Sequence, residues 1–255
     1  MNADAFIPQN DLETALVAAA TDTAARPHFY KVLTESSVLV VHVGEPPPIV
    51  DGVVVQEARL SLPKIEIEGE QCIPFFSSEA RLPTGSRYIG LRVLDLLGFT
   101  KGSHLVLNPG LTYGKLFLPN EISEILDGSI FEPKEPLTLK KGAKQLIGQP
   151  KDYPHELVNA LTRFFAKEPS IEKAFLAQHF IVGTHSEPAL LIAVMAPQNG
   201  FERLAASIGL ISRESKKIQT SVDIIKLEAS EKGYFSNLQP FYSRKQKGLF
   251  NRLFG

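Results

Sequence analysis

The amino-acid sequence predicts an α+β protein of two domains, each a mainly antiparallel sheet with packed helices. Three observations carry that expectation. Short β-rich runs alternate with segments of helical apolar spacing along the whole chain, the pattern of mixed α and β structure. The 255 residues are enough for one large domain or two of ordinary size. Between the halves, residues 129–149 lose periodicity, and Pro133, Pro136, Gly142 and Gly148 with Lys134, Lys140, Lys141 and Lys144 mark a connecting stretch. The first domain is therefore placed at 1–130, the linker at 131–143, the second domain at 144–242 and a tail at 243–255.

In chain order, a first helix spans 10–21, with Asn10 as cap and Glu13 at the third helical position to return a capping-box bond. A second starts at Pro27, a residue favoured in a first turn, and ends at Glu35. Residues 37–43 form a β-rich run with no polar alternation that reads as a central strand, broken by the stiff Gly44–Pro48 segment. Residues 53–67 suggest a strand pair, and 72–76 a further strand in which Pro74 implies an edge or a strand end. A short helix after Ser77, a strand at 87–91, a helix at 93–97 and strands at 104–108 and 115–118 follow. Pro119 then opens a helix with Ile122, Ile125 and Leu126 on one face, stopped by Gly128.

The second half reads as a strand at 144–147, a helix at 155–166, strands at 174–182 and 189–194, a helix closed by Gly209, and a last strand at 221–227. The order β-α-β-β-α-β is that of a split-βαβ sandwich. No repeat of solenoid period is visible.

Composition narrows function. With 27 Lys+Arg against 28 Asp+Glu the formal charge is −1, which disfavours nucleic acid as the main partner. The single cysteine, Cys72, excludes an intramolecular disulfide framework and suits a reducing compartment. The first residues lack a basic stretch followed by an apolar one, and the longest apolar run, 189–196, is far short of the ~20 residues a membrane helix needs. A cytoplasmic chain without a transmembrane segment is expected.

Catalytic motifs fail on spacing. The run from Asn108 through Gly110, Gly114 and Lys115 resembles a phosphate loop, but its glycines are one residue too close and Leu116 stands where a hydroxyl should meet magnesium. His155-Glu156 begins like a zinc-protease helix, yet Asn159 occupies the second ligand position. Cys72 in a strand reads as a small buried hydrophobe. No metal, no cofactor and no catalytic residue is expected.

Charge is unevenly placed. Residues 1–148 hold 13 basic and 18 acidic side chains, a net of −5, while residues 149–255 hold 14 and 10, a net of +4. Much of that excess lies in the tail, where Arg244, Lys245, Lys247 and Arg252 accompany Leu249, Phe250, Leu253 and Phe254 at helical spacing, with no acid. These residues are the candidate partner-binding set, with self-docking of the phenylalanines as the equal alternative.

The chain resembles the SseB family, named for enhanced serine sensitivity. The resemblance rests on the collinear segments Asn10–Leu16, Arg26–Tyr30, Ile73–Phe76, Leu107–Gly110, Gly114-Lys115, Leu118–Ile122, Ile147–Pro150, Ala189–Ile192 and Pro240–Tyr242. It implies an N-terminal and a C-terminal SseB domain and a link to serine tolerance, with no catalytic residues to carry over. The expected function is a non-catalytic interaction protein with a protein partner. The alternative is a sensor of an amino acid or related metabolite, held by backbone amides of the turn Asn108, Gly110, Gly114 and Lys115. An enzyme built on Cys72 or a histidine ranks third, and oligomeric state is left open.

Overall fold

The structure is a computed structural model describing residues 6–43, 49–50, 53–54, 61–132, 145–181, 187–197, 199–215, 220–227, 235 and 237–244. The chain divides into two compact units, Met1–Ile130 and Phe131–Gly255.

In the first unit α1 (Asp11–Thr21) and α2 (Arg26–Glu35) are joined by a 3-10 turn, Thr23–Ala25. Asn10 caps α1 by accepting from the Glu13 amide at 2.9 Å, and Pro27 lies in the first turn of α2, both as the sequence predicts. The strands are β1 (Ser37–Val41), β2 (Ile49–Val50), β3 (Val53–Val54), β4 (Ile65–Ile67), β5 (Glu70–Phe76), β6 (Tyr88–Arg92), β7 (His104–Leu107) and β8 (Lys115–Phe117). Two further helices, α3 (Val93–Phe99) and α4 (Pro119–Leu126), complete it.

The main sheet runs β6-β1-β5-β7-β8, with β4 also on β5. All its pairings are antiparallel except β5–β7. Of the strand pair expected within 53–67, residues 55–60 lie outside the described residues; among the rest, β3 pairs with β2, and β4 pairs with β5 across Glu68-Gly69. Both of those turn residues have positive φ, 52° and 86°, the geometry of a two-residue hairpin that matches strand twist.

Pro74 sits in an interior strand rather than at an edge. The proline is tolerated because β5 changes neighbour there: β1 pairs with Phe75 and Phe76, while β4 pairs with residues 70–72. The missing amide falls in the gap between the two antiparallel ladders. Phe75 and Phe117 have ring centroids 5.8 Å apart, and both are buried, as are Phe29, Tyr30, Leu33 and Leu96.

The second unit holds β9 (Gln145–Gly148), α5 (His155–Lys167), β10 (Lys173–Ile181), β11 (Ala189–Met195), α6 (Phe201–Arg213), β12 (Val222–Lys226) and β13 (Tyr242–Ser243). Strand order is β12-β11-β10-β13, with β9 also on β10. Only β11–β12 is parallel, and these two strands joined by α6 are direct neighbours with no strand between them. The split-βαβ expectation is thereby narrowed to a β10–β11 hairpin extended by an adjacent βαβ unit.

Two details depart from the sequence reading. Gly209 does not close α6, which continues to Arg213; a Cβ at Gly209 would lie 3.7 Å from Ile224 Cδ1, so this is the point where the helix rests on β12. The last strand is β13, two residues long and too short to leave a periodic signature. Every residue of β11 is buried, and Phe235 closes one sheet face against Phe175 at 5.6 Å between ring centroids.

Candidate functional site

The residues around the 108–115 turn are positioned by a buried polar cluster. Helix α1 brings Glu13, the end of β5 brings Ser77 and Ser78, the following 3-10 turn brings Arg81, and the end of β7 brings Asn108. Glu13 was expected to reach back to its own cap. Its side chain is instead buried, and Oε1 accepts from Ser77 Oγ at 2.7 Å, Ser78 Oγ at 2.7 Å and Arg81 Nε at 3.1 Å. Oε2 accepts from Arg81 Nη2 at 2.7 Å and the Gln9 amide at 2.8 Å.

Burial alone would raise the Glu13 carboxyl, but the hydrogen bonds from Arg81, Ser77, Ser78 and the Gln9 amide outweigh it and hold the group at about 2. Glu13 is an anion that accepts bonds; it is not placed to move a proton at neutral pH.

Asn108 belongs to the same cluster. Its Oδ1 accepts from the Ser77 amide at 3.0 Å and its Nδ2 donates to Ser77 Oγ at 2.8 Å, with φ at 50° in the left-handed region that Asn tolerates. Gly114 is required by space: a Cβ there would fall 2.7 Å from the Leu107 carbonyl oxygen and 2.8 Å from that of Asn108. Gly110 supplies a positive φ of 74°.

Lys115 points away from this cluster, to Glu121 Oε1 at 2.9 Å, over the rings of Phe117 and Tyr30 at 5.0 and 5.5 Å. The Tyr30 hydroxyl donates to the same carboxylate oxygen. The chain before α1 lies against the turn: Phe6 sits under the Arg81 guanidinium at 3.8 Å and meets Tyr113 edge-on at 5.2 Å, while Arg81 Nη2 donates to the Ile7 carbonyl.

Of the tail residues, Arg244 is described and the rest (Lys245, Lys247, Leu249, Phe250, Arg252 and Phe254) lie outside the described residues. The Arg244 guanidinium gathers carbonyls at and just beyond the end of α5: Nε donates to Ile171 at 3.0 Å, and Nη2 to Phe165 at 3.1 Å and to Glu168, the last two carbonyls also accepting backbone amides. Its amide donates to the Glu172 carbonyl at 2.8 Å, and the Tyr242 hydroxyl adds a bond to Phe165 at 3.0 Å. A cation at a helix C-terminus is favoured by the negative end of the helix dipole.

Cys72 is fully buried, with its thiol pushed up by burial and by the Glu70 charge, so it stays protonated at neutral pH. His179, on β10, is buried and its Nε2 lies 2.6 Å from Asp223 Oδ2 on β12. These two residues are 44 positions apart, and neither spacing nor periodicity signals their meeting. Likewise, no local spacing signals that Glu13 pairs with Arg81. Among the described residues, no group of His, Cys, Asp and Glu is arranged to hold a metal ion, and no helix is long and apolar enough to cross a membrane.

Two α+β units in tandem, one ordered by a buried acid–guanidinium cluster and the other clasped at its end by Arg244, define the class of protein. The SseB protein N-terminal domain family matches residues 12–124, and the SseB protein C-terminal domain family matches residues 139–244, ending on that clasp. Protein SseB of Escherichia coli (strain K12) and Protein SseB of Shigella flexneri are each 30% identical over 252 residues, covering 94% of this chain and 95% of theirs. The chain belongs to the SseB family. No solved structure matches it.

Proposed function

We propose that this chain is a non-catalytic cytoplasmic regulator that binds another protein through its basic C-terminal stretch, in a process tied to serine tolerance. The observation that carries the reading is the anchor at residues 242–244. Strand β13 pairs with β10, and Arg244 is fastened by backbone and side chain. The next eleven residues, with Lys245, Lys247, Leu249, Phe250, Arg252 and Phe254, thus start from a fixed point on the second unit. A fixed origin lowers the entropy lost when a short basic amphipathic segment engages an acidic groove. The serine link comes from the family resemblance.

Metabolite sensing at the 108–115 turn is less well supported, because the Asn108 and Leu111 amides already donate to the Phe75 and Asn108 carbonyls, at 2.9 and 3.3 Å, and the Asn108 and Lys115 side chains are held by Ser77 and Glu121. The test compares the full chain with a chain ending at Arg244. Cross-linked partners recovered by the full chain are expected to be lost on truncation, with the melting temperature unchanged. Equal recovery by both chains overturns the reading.

A further inference from the structure

We infer that β6 is a self-pairing edge, through which two copies of this chain join their N-terminal sheets across a two-fold axis at Gly90. Strand β6 ends the sheet, and among the described residues only β1 pairs with it. Bond parity follows from two flanking contacts, the His42 amide to the Arg87 carbonyl at 3.2 Å and the Val93 amide to the Ser36 carbonyl at 3.0 Å. In an antiparallel ladder alternate residues bond to one side. Arg87, Ile89, Leu91 and Val93 therefore face β1, and the amides and carbonyls of Tyr88, Gly90 and Arg92 face outward.

Exposed edges are ordinarily blunted by Lys, Pro or a bulge. Residues 88–92 contain no lysine and no proline, and their register with β1 is unbroken from Ser37↔Arg92 to Val41↔Tyr88. The opposite edge, β8, is only three residues long and opens on Lys115.

The occupant that fits is a second copy, because the trio is self-complementary. Antiparallel pairing centred on Gly90 sets each Tyr88 opposite the other copy's Arg92, and every outward backbone group of the trio finds its partner. Within each chain Arg92 already holds Asp95, Nε to Oδ2 at 2.8 Å and Nη2 to Oδ1 at 2.9 Å, and the Tyr88 hydroxyl donates to the Glu79 carboxylate, both on the exposed side of the strand. Pairing sets this Arg92–Asp95 pair over the other copy's Tyr88 ring and gives the guanidinium a second anion in Glu79, twice by symmetry. Tyr88, Gly90 and Arg92 are exposed, while Ile89 is buried, so the pairing leaves the core untouched.

Sedimentation of the full chain across the micromolar range is expected to show a monomer–dimer equilibrium. Gly90→Pro removes an outward amide without touching a bond to β1, and a Cβ there meets Leu39 Cδ2 at only 3.9 Å. It is expected to weaken association about tenfold or more with circular dichroism and melting retained. Glu79→Arg, which keeps the Arg92–Asp95 pair and sets a second cation beside the other copy's Arg92, is also expected to weaken the dimer. A monomer at every concentration overturns the inference, as does a dimer indifferent to all of these changes. A chain ending at Arg244 is expected to dimerise equally well, which separates this inference from the tail-binding proposal.

Discussion

Glu13 ties helix α1 to the residues after β5, through Ser77, Ser78 and Arg81. Its folded value of about 2 lies below the unbound value of 4.5, so folding favours the ionised form. The resulting contribution is complete above about 4.5, and is lost as pH falls towards about 2. A shift of this size corresponds to roughly 3 kcal/mol at neutral pH. Glu13→Gln leaves the Arg81 guanidinium beside a neutral amide, and is expected to cost about 3–5 kcal/mol in urea unfolding at pH 7. The wild-type advantage over this variant should shrink as the same measurement is repeated towards pH 3; an advantage that stays constant contradicts the assignment. Gly114→Ala must displace two carbonyl oxygens and is expected to cost more than Gly110→Ala, where only the positive φ resists and the cost is about 1 kcal/mol. At this scale the sequence is half legible. Asn10 as a cap can be read from four adjacent residues, but Glu13 finds Ser77, Ser78 and Arg81 between 64 and 68 positions away, by folding alone.

Elements differ in how they end. Proline starts α2 and α4, a local signal that transfers directly from sequence to structure. Glycine is less dependable, since Gly209 is interior to α6, where apolar residues on both sides keep the helix going. Gly209→Ala should therefore stabilise: the new methyl meets Ile224 at ordinary contact distance, and the helix gains up to about 1 kcal/mol of propensity. A lowered melting temperature would show that α6 sits closer to β12 than described. Helix α5 is held at its end by a residue 77 positions beyond its own last residue, 167. Arg244→Ala is expected to cost about 1–3 kcal/mol, and Arg244→Lys to recover little, because one ammonium cannot reach three divergent carbonyls. Pro74 shows the opposite failure of local reading. Its edge signal was sound for a strand with one neighbour on each side, and it misled because β5 changes neighbour midway.

For the whole molecule, the two-unit organisation was legible from the loss of pattern near residue 130, whereas strand order was not. Strand order depends on which runs pair at a distance, and the β5–β7 and β11–β12 parallel contacts each require a crossover that leaves no local mark. Each unit has its own buried interior, so a fragment of residues 1–132 is expected to melt cooperatively, with Glu13→Gln lowering its midpoint as in the full chain. A fragment without a cooperative transition would tie its stability to residues beyond 132. Strand β11, uncharged and buried along its whole length, has a further consequence during synthesis. Its hairpin partner β10 has already been translated when β11 emerges, but its parallel partner β12 follows only after α6. Until then a run of apolar, β-prone residues has one edge open, which is the state in which chains seed intermolecular sheets. Slow translation through α6, or its removal, should therefore drive nascent chains into inclusion bodies, and holdase chaperones that cover this single segment should keep them soluble.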